Sequence, residues 1–207
     1  MKLIGMLDSP YVRRVAVSLK LLNLPFEHLS ISVFSGFDTI KEVNPVVKAP
    51  TLVTDEGVVL MESSLILDYA ERKAAPHHTL MPTDLDSYAQ AQMVTGIALA
   101  ACEKTVQTVY EYKLRPAEKR HQPWLDRIHG QLITAFGLLE QSIEKADPWL
   151  FGDKPFQADI TSAIAFRCSC EMLPGQIRPG DYPALAAFSV RAEAMDAFLA
   201  FPYPTKE

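Results

Sequence analysis

Cysteine is scarce, positive charge is in deficit and no long apolar run occurs, and each absence closes off a class of function. Three cysteines in 207 residues, an odd number in a chain this long, do not make a disulfide framework. The chain therefore reads as one from a reducing compartment and is expected to be cytoplasmic. A net charge of −5 provides no basic field to recruit nucleic acid or an acidic membrane surface. No stretch approaches the roughly 18 apolar residues of a membrane span. The first apolar run stops at Asp8, too short for a signal-peptide core. There is no internal repeat, no low-complexity segment and no metal-ligand pattern. Cys168 and Cys170 fall two apart on a predicted helix and so face different ways.

What is present divides into two parts. Leu3 to Leu7 reads as a strand, and Tyr11 to Leu22 as an amphipathic helix with Ser9 as N-cap and Pro10 at its first position. Phe26 to Val33 reads as a second strand, and residues 37–43 as a short helix ending at Asn44-Pro45. Thr51–Thr54 and Val58–Met61 form a hairpin around Asp55-Glu56-Gly57, and a helix runs from Ser64 to Lys73. The order βαβαββα implies a small unit with a mixed sheet over residues 1–75. Residues 76–86 are a proline-bearing linker that holds His77 and His78, expected to be solvated. Beyond it the pattern is helical throughout: Leu85–Leu114, Ala117–Ala146, Gln157–Leu173 and Pro183–Leu199. The expected fold class is α+β in two domains, with an all-helical second domain over 87–207.

Three places in the first unit can carry chemistry, and each has an ordinary reading beside it. Ser9 caps a helix, and it also stands at the positive end of a helix dipole, where an anion such as a thiolate is stabilised. Pro50 in Asn44-Pro45-Val46-Val47-Lys48-Ala49-Pro50 starts a strand. Glu62-Ser63-Ser64 opens a helix, with Ser63 as the expected cap and Glu62 as ordinary dipole chemistry. Arg13 and Arg14 are expected on an exposed helix face with an ion pair, and the cysteines in the core or at its boundary.

Taken together and in this order, the Ser-Pro-x-x-x-Arg-Val opening at Ser9, Ala49-Pro50 before a strand, Glu62-Ser63 and the all-helical second half resemble a cytosolic glutathione transferase. The match covers the whole chain in architecture and residues 3–72 in motif, closest to the serine type of tau-like and bacterial members. The resemblance implies a thioredoxin-like first domain and a helical-bundle second domain. It implies glutathione as co-substrate, no metal, and conjugation of small apolar electrophiles of the detoxification kind. Ser9 would hydrogen-bond the glutathione sulfur. Pro50 would be cis, with the main chain of Ala49 pairing with the tripeptide's cysteine. Lys48 would reach the glycine carboxylate, Ser63 the γ-glutamyl carboxylate and Glu62 the γ-glutamyl amino group.

The second substrate would meet Leu7, Tyr11, Val106 and Tyr110, and Phe201 of the aromatic tail. The family layout also implies a homodimer. In the second half, Asp159 matches the family's capping acid before its core helix, but Phe156 stands where a serine or threonine is usual and cannot return the bond. A non-catalytic interaction or stress protein on this scaffold is the alternative from another class. A glutathione-dependent isomerase or dehalogenase is a third, although the Ser-Ser-Cys-Ser type opening of the isomerases is absent. A fold by itself does not choose among them.

Overall fold

Strand β1 (Lys2–Ile4) lies at the middle of a four-stranded sheet of order β2-β1-β3-β4. It pairs in parallel with β2 (Glu27–Leu29) and antiparallel with β3 (Thr51–Val53), which in turn pairs antiparallel with β4 (Val59–Met61). The computed structural model describes residues 1–204. Between the strands come α1 (Pro10–Leu21), α2 (Phe37–Val43) and, after β4, α3 (Ser63–Ala74). This is the expected βαβαββα order with a mixed sheet. The strands are shorter than their apolar runs. Leu7 and the residues after Leu29 leave the ladder where the chain turns toward the helices.

Helix α1 is the heart of this unit. Ser9 is in extended conformation and caps it, and Pro10 presets the first turn. Val12, Val15, Ala16, Val17 and Leu19 are fully buried, each aliphatic side chain of that size contributing about 1.5–3 kcal/mol. The burial runs nearly all round the helix, because α3 and α8 (Asp196–Leu199) both pack on it.

Two compact units emerge: Met1–Leu80 joined by the segment that starts at Ala194, and Met81–Glu193. The sequence division assigned 87–207 to the helical part; the return of the final segment to the first unit departs from it. The cause is visible in Arg13, whose Nε donates to the Phe201 carbonyl at 2.9 Å and whose guanidinium lies 5.5 Å from the Phe198 ring centre. Phe201 also stacks on Phe26 at 5.3 Å. The helix expected over Pro183–Leu199 accordingly breaks into α7 (Pro183–Glu193) and α8.

The second unit contains α4 (Leu85–Lys113), α5 (Gln122–Ile143), α6 (Gln157–Met172) and α7. Helix α5 starts five residues later than its period suggested. Residues Ala117–Lys119 form a short 3₁₀ turn first, and Pro123 opens the α-helix. Helix α6 is the core element, buried from Gln157 to Phe166. Phe166 meets Phe136 and Tyr182 edge-on, while Phe136 and Tyr182 are tilted to each other, with ring centres 5.6–6.2 Å apart. As expected from Phe156, only one half of the reciprocal cap exists. The Phe156 N–H donates to Asp159 at 2.8 Å, and Asp159 uses its other oxygen to accept from the Leu150 N–H.

Candidate active site

Strand register decides which loops meet. Ile4 lies opposite Thr51, and Thr51 opposite Met61. The C-terminal end of β1, the start of β3 and the end of β4 are therefore side by side. The loop that leads to Ser9, the segment Lys48-Ala49-Pro50 and the Glu62-Ser63 junction converge on this one end of the sheet.

Ser9 is half-buried, and its Oγ accepts from the Val12 N–H at 3.4 Å. A hydroxyl has one hydrogen to give and two lone pairs to receive with. Capping α1 uses only a lone pair, so the O–H remains available to an anion at the helix start. The two readings of Ser9 are thus compatible.

The Ala49–Pro50 peptide is cis. Among the described residues, the main-chain N–H and C=O of Ala49 meet no partner. The segment is fastened on both sides of that free unit. Buried Asn44 donates to Thr51 Oγ1 at 2.8 Å and accepts from the Val46 N–H, while the Thr51 hydroxyl donates to the Lys48 carbonyl at 2.6 Å. Gly5 matters here as well. At φ +139° a Cβ on it would come within 2.6 Å of Val12 and 3.1 Å of the Ala49 methyl, so only glycine lets β1, α1 and Ala49 approach this closely. Lys48 itself is exposed.

At the third corner the cap is Glu62 and not Ser63. Glu62 accepts from the Ser64 N–H at 3.0 Å with φ +73°, a region non-glycine residues rarely occupy. Such backbone strain concentrates at functional sites. Ser63 is instead the first helical residue and is buried. Its hydroxyl accepts from Arg14 Nη1 at 3.0 Å, and the same nitrogen reaches Ser64 Oγ at 3.3 Å. The expectation of two exposed arginines is therefore corrected: Arg14 is 2% exposed and ties α1 to the start of α3, while Arg13 holds the C-terminal segment. A face of α1 that pointed to water in a helical-wheel reading is covered by α3 on one side and α8 on the other.

Of the second-substrate residues, Leu7 and Tyr11 are half-buried in the first unit, Val106 half-buried and Tyr110 exposed in the second. Cys102 and Cys168 are buried, and burial pushes the Cys170 thiol up to about 11, so it is not a reactive thiolate. Among the described residues no group of three His, Cys, Asp or Glu side chains could hold a metal, and no helix is long and apolar enough to cross a membrane.

Residues 3–78 match the family model of the glutathione S-transferase N-terminal domain. A glutathione S-transferase of Methylobacterium radiotolerans, solved with glutathione sulfonate, superposes with a TM-score of 0.89, covering 100% of this chain and 96% of its own at 28% identity. The chain has the glutathione transferase fold. A glutathione transferase family member of Pseudomonas fluorescens with bound glutathione gives a TM-score of 0.84 at 27% identity over 99% of both chains. In sequence, a probable glutathione S-transferase of rice, GSTU6, is 27% identical over 95% of this chain and 86% of its own length. Within this transferase fold, sequence reasoning missed Gly5, Arg14 and the fastening role of Asn44. A glycine interrupting the apolar run at Gly5 was the one local signal that a close approach was needed.

Proposed function

We propose that this protein is a glutathione transferase of the serine type, tau-like or bacterial in flavour, conjugating glutathione to small apolar electrophiles in a cytoplasmic, detoxifying role. The observation that carries the reading is the register-enforced meeting of Ser9, Ala49-Pro50 and Glu62-Ser63 at one end of the sheet, with the Ser9 hydrogen and the Ala49 main chain unspent. Its support from relatives is that structural neighbours of 27–28% identity hold glutathione or its sulfonate.

Glutathione supplies the attacking sulfur. The free Ala49 N–H and C=O pair with its cysteine as an added strand would. Lys48 meets the glycine carboxylate as a point charge. The start of α3 at Ser63 takes the γ-glutamyl carboxylate, and Glu62 takes the amino group. Ser9 donates its O–H to the sulfur while the Val12 N–H keeps the oxygen in place. A free thiol with pKa near 8.5 is only a few per cent ionised at neutral pH. Lowering it by about two units requires about 2.7 kcal/mol, which one hydroxyl donor to a charged group and a helix N-terminus supply between them. Ser9 forms no covalent bond. The sulfur bonds to the electrophilic carbon, the leaving group departs with its electron pair, and the thiol proton has already gone to solvent.

Leu7, Tyr11, Val106 and Tyr110 are the proposed electrophile contacts, and the proposed assembly is a homodimer. The test compares native protein with Ser9→Ala in conjugation of 1-chloro-2,4-dinitrobenzene and in retention on immobilised glutathione. Native protein is retained and turns over, and Ser9→Ala is retained with turnover lowered at least about tenfold, the worth of one charged hydrogen bond. Retention of the native protein without any turnover points to a non-catalytic binding protein.

A further inference from the structure

Where β1 ends, one carbonyl is left without a strand to bond it. Gly5 follows β1 and is buried, and its N–H donates to the Leu29 carbonyl at 3.0 Å. In a continuing parallel ladder the next bond would run from the Ile31 N–H back to the Gly5 carbonyl. The Ile31 N–H turns instead to the Leu29 carbonyl at 3.0 Å, so β2 leaves the sheet one bond early. A buried carbonyl without a donor is costly.

A side chain supplies the missing donor. His28 of β2 places its Nε2 at 2.8 Å from the Gly5 carbonyl oxygen. A carbonyl only accepts, so that nitrogen carries the ring hydrogen. The imidazole is braced from behind by the C-terminal segment. Phe201 meets it edge-on at 6.3 Å and stacks on Phe26 at 5.3 Å, while Arg13 Nε holds the Phe201 carbonyl at 2.9 Å.

The peptide held in this way is the one that leads to Ser9. From Met6 the chain makes a turn, closed by the Ser9 N–H donating to the Met6 carbonyl at 3.2 Å. The Ser9 carbonyl then accepts the Arg13 N–H at 3.0 Å and starts α1. Glycine imposes no side-chain preference on the Gly5–Met6 peptide plane, so its hydrogen bonds set it. We infer that His28 is a positioning residue for Ser9: it fixes the plane from which the Met6–Ser9 turn departs and so aims the Ser9 hydroxyl at the bound sulfur. The catalytic consequence rests on the transferase reading, whereas the hold on the turn does not. Lys48, Ala49 and Ser63, which take the rest of the tripeptide, stand on other segments, so glutathione binding is spared.

Two variants of the full chain test this. His28→Phe keeps a ring against Phe201 and removes the donor, and His28→Gln keeps a side-chain N–H at a similar reach. In ligand-free protein, amide hydrogen exchange at Ser9 should quicken about tenfold in His28→Phe, the worth of one hydrogen bond, and return close to the native rate in His28→Gln. In chlorodinitrobenzene conjugation, His28→Phe should lower kcat about fivefold to tenfold with the KM for glutathione within about twofold of native, and His28→Gln should recover most of the loss. Because His28 acts through Ser9, adding His28→Phe to Ser9→Ala should lower kcat no further. Native exchange at Ser9 or an unchanged kcat in His28→Phe, a His28→Gln variant as impaired as His28→Phe, or losses that multiply in the double variant overturns the inference. Failure of the native protein to bind or turn over glutathione defeats the transferase reading instead, and the exchange comparison still decides whether His28 holds the turn.

Discussion

Ser9 shows how one side chain serves two purposes without conflict. Its oxygen receives the Val12 N–H while its hydrogen stays unspent. Removing it should therefore cost little stability, about 1 kcal/mol or less for a cap with a bond this long, while conjugation falls by the larger factor given above. Urea unfolding set beside initial rates checks this, and a collapse of stability in Ser9→Ala would return the residue to a purely structural role. Asp159 is the opposite case, structural and titratable. Burial pushes its carboxyl up to about 6, against the N–H bonds from Leu150 and Phe156 that pull it down. The folded value lies above that of the unfolded chain, so folding favours the protonated form. Its stabilisation is complete below about pH 4 and is lost as pH rises through about 6, a change of about 3 kcal/mol. Asp159→Asn should abolish that slope between pH 4 and 6. It should also cost about 1–3 kcal/mol at neutral pH, because the amide cannot accept both N–H bonds. Urea midpoints at several pH values measure both.

At the scale of elements, the site depends on close approach at Gly5 and on the start of α3. Gly5→Ala puts a methyl against Val12 and Ala49 at a positive φ, costing about 1–3 kcal/mol. Retention on immobilised glutathione should fall with it, since the displaced group carries the free Ala49 main chain. Glu62→Ala removes the α3 cap and should lower helix stability by about 1 kcal/mol together with glutathione affinity. Thermal unfolding with and without glutathione separates the two effects. Much of this was legible from residue order: Ser9-Pro10 marked the start of α1, Ala49-Pro50 the entry to β3, and Glu62-Ser63 the start of α3. Which of Glu62 and Ser63 caps α3 was not, because Arg14 claims the Ser63 hydroxyl across a distance of 49 residues. The exposed face assigned to Arg13 and Arg14 failed for the same reason. A helical period reveals which residues share a face and is silent about a second element arriving to cover the other one.

For the whole molecule, the expected two-part chain corresponds to a sheet-containing unit and a helical unit, with a final segment that returns to the first. That return rests on Arg13, Phe26 and Phe201, long-range partners that no local pattern announces. Glutathione at about a hundred times its dissociation constant should stabilise the protein by about 2.7 kcal/mol, a rise in melting temperature of roughly 5–10 °C for a chain this size. Sedimentation should give twice the 23.0 kDa chain mass if the proposed homodimer forms. The central claim, that Ser9 and the α1 N-terminus ionise the bound sulfur, has its most direct measurement in the ultraviolet absorbance of thiolate during a pH titration of the glutathione complex. The bound thiol should ionise about two units below the free value near 8.5, and Ser9→Ala should return it to within about half a unit of that value. An unshifted thiol in the native complex, or an equally shifted one in Ser9→Ala, contradicts the account.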